Sequence, residues 1–408
     1  MNLKDRRLKV AIVIDGLGVG GISSVCLNYI QLLLNLNCQI DLINLSPSED
    51  ELETSVPKGV CIFNIPFPRK VAPEQYTQLV KKNLFLKILY PFVYSFLLIL
   101  NYFYKLFCNV KYKCCRKNYD LVIAFSSHFN DLTFVSTNFV NANKKMAWCH
   151  GAIYEYLFIS DGFINLYNKI TNIVSLVHED MREIFLTNRQ LRLKVNTLYN
   201  PTLIKDRKID IDTVEALKRK YGKFLLMVAR FDYPYKDPFT VIKAFEILNE
   251  KYGYNDLQLV FVGDGTDLNK AKEYLKKVSK RSQEKIHFVG KRLDVQNFYK
   301  AASVYVQAGA ATEGLPTTMI EAMAFSLPQV ITDVKVGPRE ILGNNKYGLL
   351  CEPQNPKSMA DKINSLLSNA DLYKHYQLME SKRWHDFMPE TVQEKLKYVL
   401  GTILNNEK

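Results

Sequence analysis

Two Rossmann-like α/β domains are the fold class this sequence predicts, on three observations. Short apolar runs alternate with helical segments along the chain, the alternation breaks once near residue 200, and 408 residues exceed what one ordinary core accommodates. Hydrophobic residues make up 48% of the chain and charged residues 23%, enough apolar material for two full cores. In the first half, Val10–Ile14, Gln39–Asn44, Val60–Ile65 and Leu121–Ser126 read as strands, with KKMAWCHG and NIVSLV as further ones. Helices are expected over Ser23–Asn35 and Glu179–Leu186. Asn200-Pro201 is a turn signal, followed by a charged amphipathic helix. FLLMVAR, LQLVFVG, IHFVG, SVYVQAG and PQVITD are the strands expected after it. The boundaries predicted are 1–199, 200–385 and a closing helix over 386–408, with packing on the first domain one option for that helix.

The first strand leads into Gly16-x-Gly18-x-x-Gly21, a spacing that aims backbone N–H groups and a helix N-terminus at a phosphate. Two features argue against a nicotinamide cofactor, and so against a dehydrogenase. Asp15 places a negative charge just before the first glycine. The end of the second strand offers Asn44 and Ser46 where a ribose-gripping acid belongs, and Asp41 lies too early. The turn therefore reads as phosphate-facing, with the cofactor unsettled.

Lysine and arginine outnumber acids by 54 to 41, a net charge of +13, which suits an anionic partner. No zinc finger, RNA-recognition signature or basic recognition helix is present, so nucleic acid is not expected. The positive charge concentrates between Gln75 and Tyr119, where no Asp or Glu occurs, in Lys81, Lys82, Lys87, Lys105, Lys111, Lys113, Arg116 and Lys117. Seventeen uncharged residues, seven of them aromatic, separate Lys87 from Lys105. As a helix they reach about 26 Å, short of a bilayer core of ~30 Å, and Pro91 is expected to cut the length to Phe92–Tyr104. The expectation is an interfacial helix, with 81–117 meeting an anionic membrane surface; a helix buried against the first sheet is the alternative. The eight cysteines show no metal-type spacing and no signal peptide is read before the first strand. Reduced thiols in a cytoplasmic protein, peripheral at the inner face of the membrane, are expected.

Four stretches of the second half suit ligand chemistry. ARFDYPYK sets Arg230 and Lys236 beside a strand end, where two cations fit a diphosphate, although surface cations give the same pattern. Gly263 in FVGDG is suited to close ligand approach or simply to a tight turn. In TEGLPTTMIEAM, Pro316 is expected at the first helical position, so that Thr317 and Thr318 present N–H groups to an anion. Glu313 and Glu321 flank that site; they suit sugar hydroxyls on either side of a diphosphate, or else a capping acid and a solvated helix residue. Asp210 and Asp212 read as a helix cap rather than a metal-binding pair.

Together these pieces resemble the retaining, GT-B-fold glycosyltransferases of sequence family 4, the glycosyl transferases group 1. The motifs that carry the resemblance are LYNP, VARFDYPYK, FVGDG, IHFVGKRLDV, EGLPTTMIEAMAFSLPQVITD with Glu313 and Glu321, and YGLLCEPQNP, in order, with GGISSVCLNYI and AWCHG in the first half. The resemblance implies two parallel sheets facing each other across a cleft, an acceptor-binding first domain and a donor-binding second. It implies a nucleotide-sugar as substrate, UDP-sugar ahead of GDP-sugar, with neither cofactor nor metal. By the same resemblance Arg230 and Lys236 neutralise the leaving diphosphate, aided by Thr317, Thr318, Gly20 and Gly21. Glu321 grips the ribose, Glu313 and His150 stand by the transferred sugar, and Leu315, Pro316, Gly263 and Lys291 line the donor site. Pro316 replaces a glycine common in relatives and removes one backbone donor. The acceptor implied is a glycan or lipid-linked saccharide of bacterial surface polysaccharide. The alternatives are an NAD-dependent dehydrogenase, from the first-half glycine turn, and a GT-B scaffold without catalysis.

Overall fold

The computed structural model describes residues 7–68, 70–77, 80, 83–178, 191–204 and 208–405. The expected helix Glu179–Leu186 lies outside them. The chain forms two compact units, one of residues 1–201 with 389–408, the other of 202–388.

The first unit is built on seven parallel strands: β1 (Lys9–Ile14), β2 (Gln39–Asn44), β3 (Cys61–Asn64), β4 (Asn118–Ala124), β5 (Asn141–Cys149), β6 (Asn172–Ser175) and β7 (Lys194–Thr197). Their order is β3-β2-β1-β4-β5-β6-β7. β1, β2 and β4 are buried in every residue but the first, which is why they read as continuous apolar runs. Around the sheet stand α1 (Gly21–Asn35), α2 (Leu84–Lys111) and α3 (Phe129–Ser136), among other helices. The helix runs unbroken through Pro91, contrary to the expected break. Proline forfeits only its own donor to the carbonyl of residue 87, one turn in from the Asn83 cap, whose side chain accepts from the Phe85 N–H at 2.9 Å.

The second unit holds six parallel strands: β8 (Lys223–Val228), β9 (Leu257–Val262), β10 (Ile286–Phe288), β11 (Val304–Gln307), β12 (Gln329–Thr332) and β13 (Leu349–Cys351). Their order is β10-β9-β8-β11-β12-β13. Its helices include α4 (Ile211–Tyr221), α5 (Pro238–Lys251), α6 (Thr317–Ala324) and α7 (Gly337–Leu342). Asp210 caps α4 by accepting from the N–H groups of Asp212 and Thr213, as expected. The last helix, α8 (Pro389–Asn405), belongs to the first unit, where Asn35 donates to Gln393 at 3.2 Å and Lys395 sits over the Tyr199 ring. Both sheets wind outward from a central strand and then reverse, between β1 and β4 in one and between β8 and β11 in the other. Open α/β sheets bind ligands at the carboxyl ends of strands at such a reversal.

Candidate active site

In the second unit the loops leaving β8 and β11 meet at that reversal. The β8 loop, Ala229–Asp237, is woven into the loop after β9. The Phe231 N–H donates to the Asp264 carbonyl (2.8 Å), the Phe231 carbonyl accepts from Asp267 N–H (3.0 Å), and the Tyr233 N–H donates to the Asp267 carboxylate (2.8 Å). Gly263 makes this possible: its φ is +136°, and a Cβ there would stand 1.9 Å from the Ala229 carbonyl oxygen. The β8 and β11 loops are tied reciprocally by Asp237 N–H to Ala308 O and Ala310 N–H to Pro234 O, both 2.8 Å.

On this frame Arg230 is exposed, whereas Lys236 turns inward and ion-pairs with Glu313. The two side chains are only 13% and 18% exposed. The second oxygen of Glu313 accepts from Gln307 Nε2 (3.0 Å), and Gln307 Oε1 accepts from the Thr318 hydroxyl (3.1 Å). A continuous polar chain thus runs Lys236–Glu313–Gln307–Thr318 from the β8 loop to the start of α6. Glu321, one turn along α6, accepts from the Tyr299 hydroxyl at 2.9 Å.

Pro316 is the cap of α6, with extended ψ of 113°, and the helix begins at Thr317. This corrects the expected first helical position. The physical reason lies behind the proline: Gly337, first residue of α7, donates its N–H to the Glu313 carbonyl (3.0 Å) and packs against the Gly314 carbonyl and the Pro316 ring. Val336 precedes it at φ +81°, a strained conformation for a β-branched residue, and bridges to Glu313. Thr317 and Thr318 remain at the positive end of the helix, while Met319 N–H is taken by the Pro316 carbonyl. Leu315 is buried, and Lys291 is exposed in a loop tied to Gly263 through Gly263 N–H to Gly290 O, 2.9 Å.

In the first unit the glycine turn is only partly open. Leu17 N–H donates to the Glu49 carbonyl (2.7 Å), and a Cβ on Gly16 would stand 2.5 Å from the Glu49 carboxylate. The reading of Gly16 to Gly21 as one phosphate-facing turn is therefore corrected: acids fill its first half. Gly20 and Gly21 have nothing within 4 Å of a Cβ, and α1, which they begin, has no acid in its first turn. Asp15 is held by Ser46 (2.9 Å), by Asn130 (3.2 Å) and by His128 (3.2 Å). Burial pushes its carboxyl up, but these hydrogen bonds outweigh burial and hold it below the usual range. They also raise His128, chiefly through Asp15 itself. His150, after β5, is half-buried, and its Nε2–H donates to the Phe125 carbonyl, which leaves Nδ1 as an acceptor. Burial lowers its pKa to about 4, so the ring is neutral near pH 7.

Residues 209–380 match the family model for glycosyl transferases group 1. Those residues, most of the second unit, carry a group 1 glycosyltransferase domain. The chain is similar to an uncharacterized glycosyltransferase of Haemophilus influenzae, 28% identical over 279 residues that cover 66% of this chain and 73% of that one. It is also similar to the N-acetylgalactosamine-N,N'-diacetylbacillosaminyl-diphospho-undecaprenol 4-alpha-N-acetylgalactosaminyltransferase of Campylobacter jejuni, 26% identical over 316 residues, 72% of this chain and 80% of that one. Among solved structures, HepE of Anabaena in complex with UDP and glucose superposes with a TM-score of 0.68 at 16% identity, covering 97% of this chain and 100% of that one. The fold is α/β and of the GT-B class. Nothing in these likenesses supports a dehydrogenase.

Four residues that shape the second-unit site escape a reading of the sequence. Gln307 and Tyr299 orient the two acids, and Val336 with Gly337 backs the loop between them. Gln307 carried a signal: a polar residue closing the apolar run VYV is buried with a partner or not at all.

Proposed function

We propose that this chain is a group 1 glycosyltransferase that moves a hexose with retention of configuration, and without a metal, from a UDP-sugar to a lipid-linked or glycan acceptor in bacterial surface-polysaccharide assembly. The observation that carries the reading is the Lys236–Glu313–Gln307–Thr318 chain at the reversal of the second sheet, with Arg230 beside it. Diphosphate departure builds negative charge; Arg230, Lys236 and the N–H groups of Thr317 and Thr318 are fixed donors for that charge. In the unliganded protein Glu313 neutralises Lys236. A donor diphosphate takes over part of that ammonium, which frees a Glu313 oxygen for the transferred sugar. Glu321 and Tyr299 serve the ribose, and Leu315, Pro316, Gly263 and Lys291 complete the donor site.

On the first unit taken by itself, the N–H groups at Gly20 and Gly21 suit an anion, and His150, neutral with Nδ1 as acceptor, suits a hydrogen bond from a sugar hydroxyl. The names of the Anabaena and Campylobacter relatives support the UDP donor and a diphospho-undecaprenol acceptor, respectively. The test is thermal-shift screening against UDP-, GDP- and ADP-sugars, followed by transfer with the donor that binds. A donor at 100 times its dissociation constant adds about 2.7 kcal/mol of stability. Stabilisation by NADH and by no sugar nucleotide would sink the proposal.

A further inference from the structure

Helix α2 has its polarity inside out. The face turned to the protein carries Tyr90, Asn101, Tyr104 and Lys105, and each donates a hydrogen bond to a backbone carbonyl: Pro73 (3.2 Å), Val71 (2.9 Å), Pro66 and Thr137 (3.2 Å). The face turned away is apolar and aromatic. Among the described residues, fourteen of the twenty-one exposed large hydrophobic side chains lie on this helix, among them Phe92 at 71%, Phe96 at 59%, Phe103 at 63% and Val110 at 80% exposure. Monomeric proteins rarely leave so large a contiguous apolar surface in water.

By length and composition α2 is able to cross a membrane, at 28 residues and a mean hydropathy of 1.8. The sheet forbids it. β3 precedes the helix and β4 follows it, both lie in one parallel sheet, and the inward hydrogen bonds from Tyr90 to Lys105 hold about 22 Å of the helix along the domain. The helix lies flat with its apolar side outward.

The surrounding charge identifies what covers it. No Asp or Glu occurs from residue 75 to residue 119. Of the eight cations expected in this region, Lys81 and Lys82 lie outside the described residues. Lys105 is spent on the Thr137 carbonyl, and Lys117 turns inward to Asp41 at 2.5 Å. Four exposed cations remain, Lys87 near one end of the apolar face and Lys111, Lys113 and Arg116 at the other. We infer that the outer face of α2 is a bilayer-docking surface. It lies in the headgroup–acyl boundary of a leaflet with anionic lipids, its aromatic and aliphatic side chains inserted and these four cations on headgroup phosphates. Docking needs no transferase activity, so it stands or falls separately from the proposed reaction.

The test is co-sedimentation of the full chain with vesicles of mixed phosphatidylglycerol and phosphatidylcholine, or of phosphatidylcholine alone, at low and high salt. Wild type binds the anionic vesicles more tightly and loses part of that binding at high salt. Each cation near the surface contributes about fivefold, so changing Lys111, Lys113 and Arg116 together to Glu lowers anionic-vesicle partitioning by at least ~100-fold at low salt. Phe92→Ser with Phe96→Ser and Phe103→Ser lowers binding to both vesicle types. It leaves the unfolding temperature near wild type, because these rings are already exposed in the folded chain. Alkaline carbonate releases the bound protein. Carbonate-resistant integration would overturn the flat orientation. Failure of wild type to bind either vesicle, with a dimer dissolved by the three serine substitutions, would assign the face to a second copy and refute docking on lipid.

Discussion

Gly337→Ala tests whether the loop bearing Glu313 is positioned from behind. A Cβ at residue 337 would stand 1.6 Å from the Gly314 carbonyl oxygen and 2.7 Å from the Pro316 ring. Ordinary contact is about 3.5 Å, so the two segments must part by roughly 2 Å. Both neighbours are backbone or ring atoms, so no flexible side chain absorbs the displacement. The Gly337 N–H to Glu313 carbonyl bond, 3.0 Å, is stretched with it. Overpacking of this kind costs about 1–3 kcal/mol, and for a unit of this size each kcal/mol lowers Tm by about 2–4 °C. Because Glu313 rides on the displaced loop, transfer falls about 100-fold, the usual consequence of a ~1 Å misplacement of a reacting group. The assay pairs thermal unfolding with initial rates of sugar transfer. Gly401→Ala is the control: nothing lies within 4 Å of its Cβ, it sits inside α8, and it gains about 0.5–1 kcal/mol. Wild-type melting and wild-type rates in Gly337→Ala would refute the positioning argument.

The acids are expected to separate by function: Glu313→Ala retains donor affinity and loses turnover, whereas Glu321→Ala weakens donor binding, read by calorimetry against kcat. Arg230→Ala, at an exposed position, slows transfer by about 2–4 kcal/mol of barrier while stability stays within about 0.5 kcal/mol. Lys236→Ala slows transfer and also lowers Tm, since it strands a mostly buried carboxylate; adding Glu313→Gln recovers part of that Tm. EDTA leaves wild-type transfer unchanged, and loss restored by a divalent cation would overturn the metal-free reading. His150 has its pKa lowered to about 4 in the fold against about 6.5 unfolded, so the unfolded chain binds the extra proton between those values. Its contribution to stability is therefore full above about pH 6.5 and lost as pH falls toward about 4. Denaturant titrations across this window should give a shallower pH slope for His150→Gln than for wild type.

Where an element buries both faces, its residues alone revealed it. β1, β2, β8 and β9 appear in the sequence as apolar runs at nearly their observed limits, because parallel strands have no polar side to blur the pattern. β7 and β13 were missed: β7 holds one apolar residue among four, and only the three residues LLC mark β13. For α2 the sequence left open which side faces the protein, and the carbonyls at Pro66, Val71, Pro73 and Thr137 show that it is the side bearing Tyr90, Asn101, Tyr104 and Lys105. In the candidate site the turn-to-helix pattern was legible to within one residue, Pro316 proving to be the cap, but the partnership of Lys236 with Glu313 spans 77 positions and depends on the strand order. Asp15 showed as an obstacle to a pyrophosphate; its pairing with Ser46 after β2 and with His128 and Asn130 at the start of α3 was not legible.

The return of α8 to the first unit affects how this chain is made. Residues 202–388 are contiguous and able to close their own core as they leave the ribosome, whereas the first unit is assembled from two distant stretches. At synthesis rates of about 5–20 residues per second, the surface of α1 waits roughly 10–40 s for Val392, Leu396 and Leu400 to be translated. During that interval the surface of α1 that the last helix packs on stays open, as does the apolar face of α2. The first unit therefore cannot complete its core until the whole of the second unit and then Val392, Leu396 and Leu400 have been made.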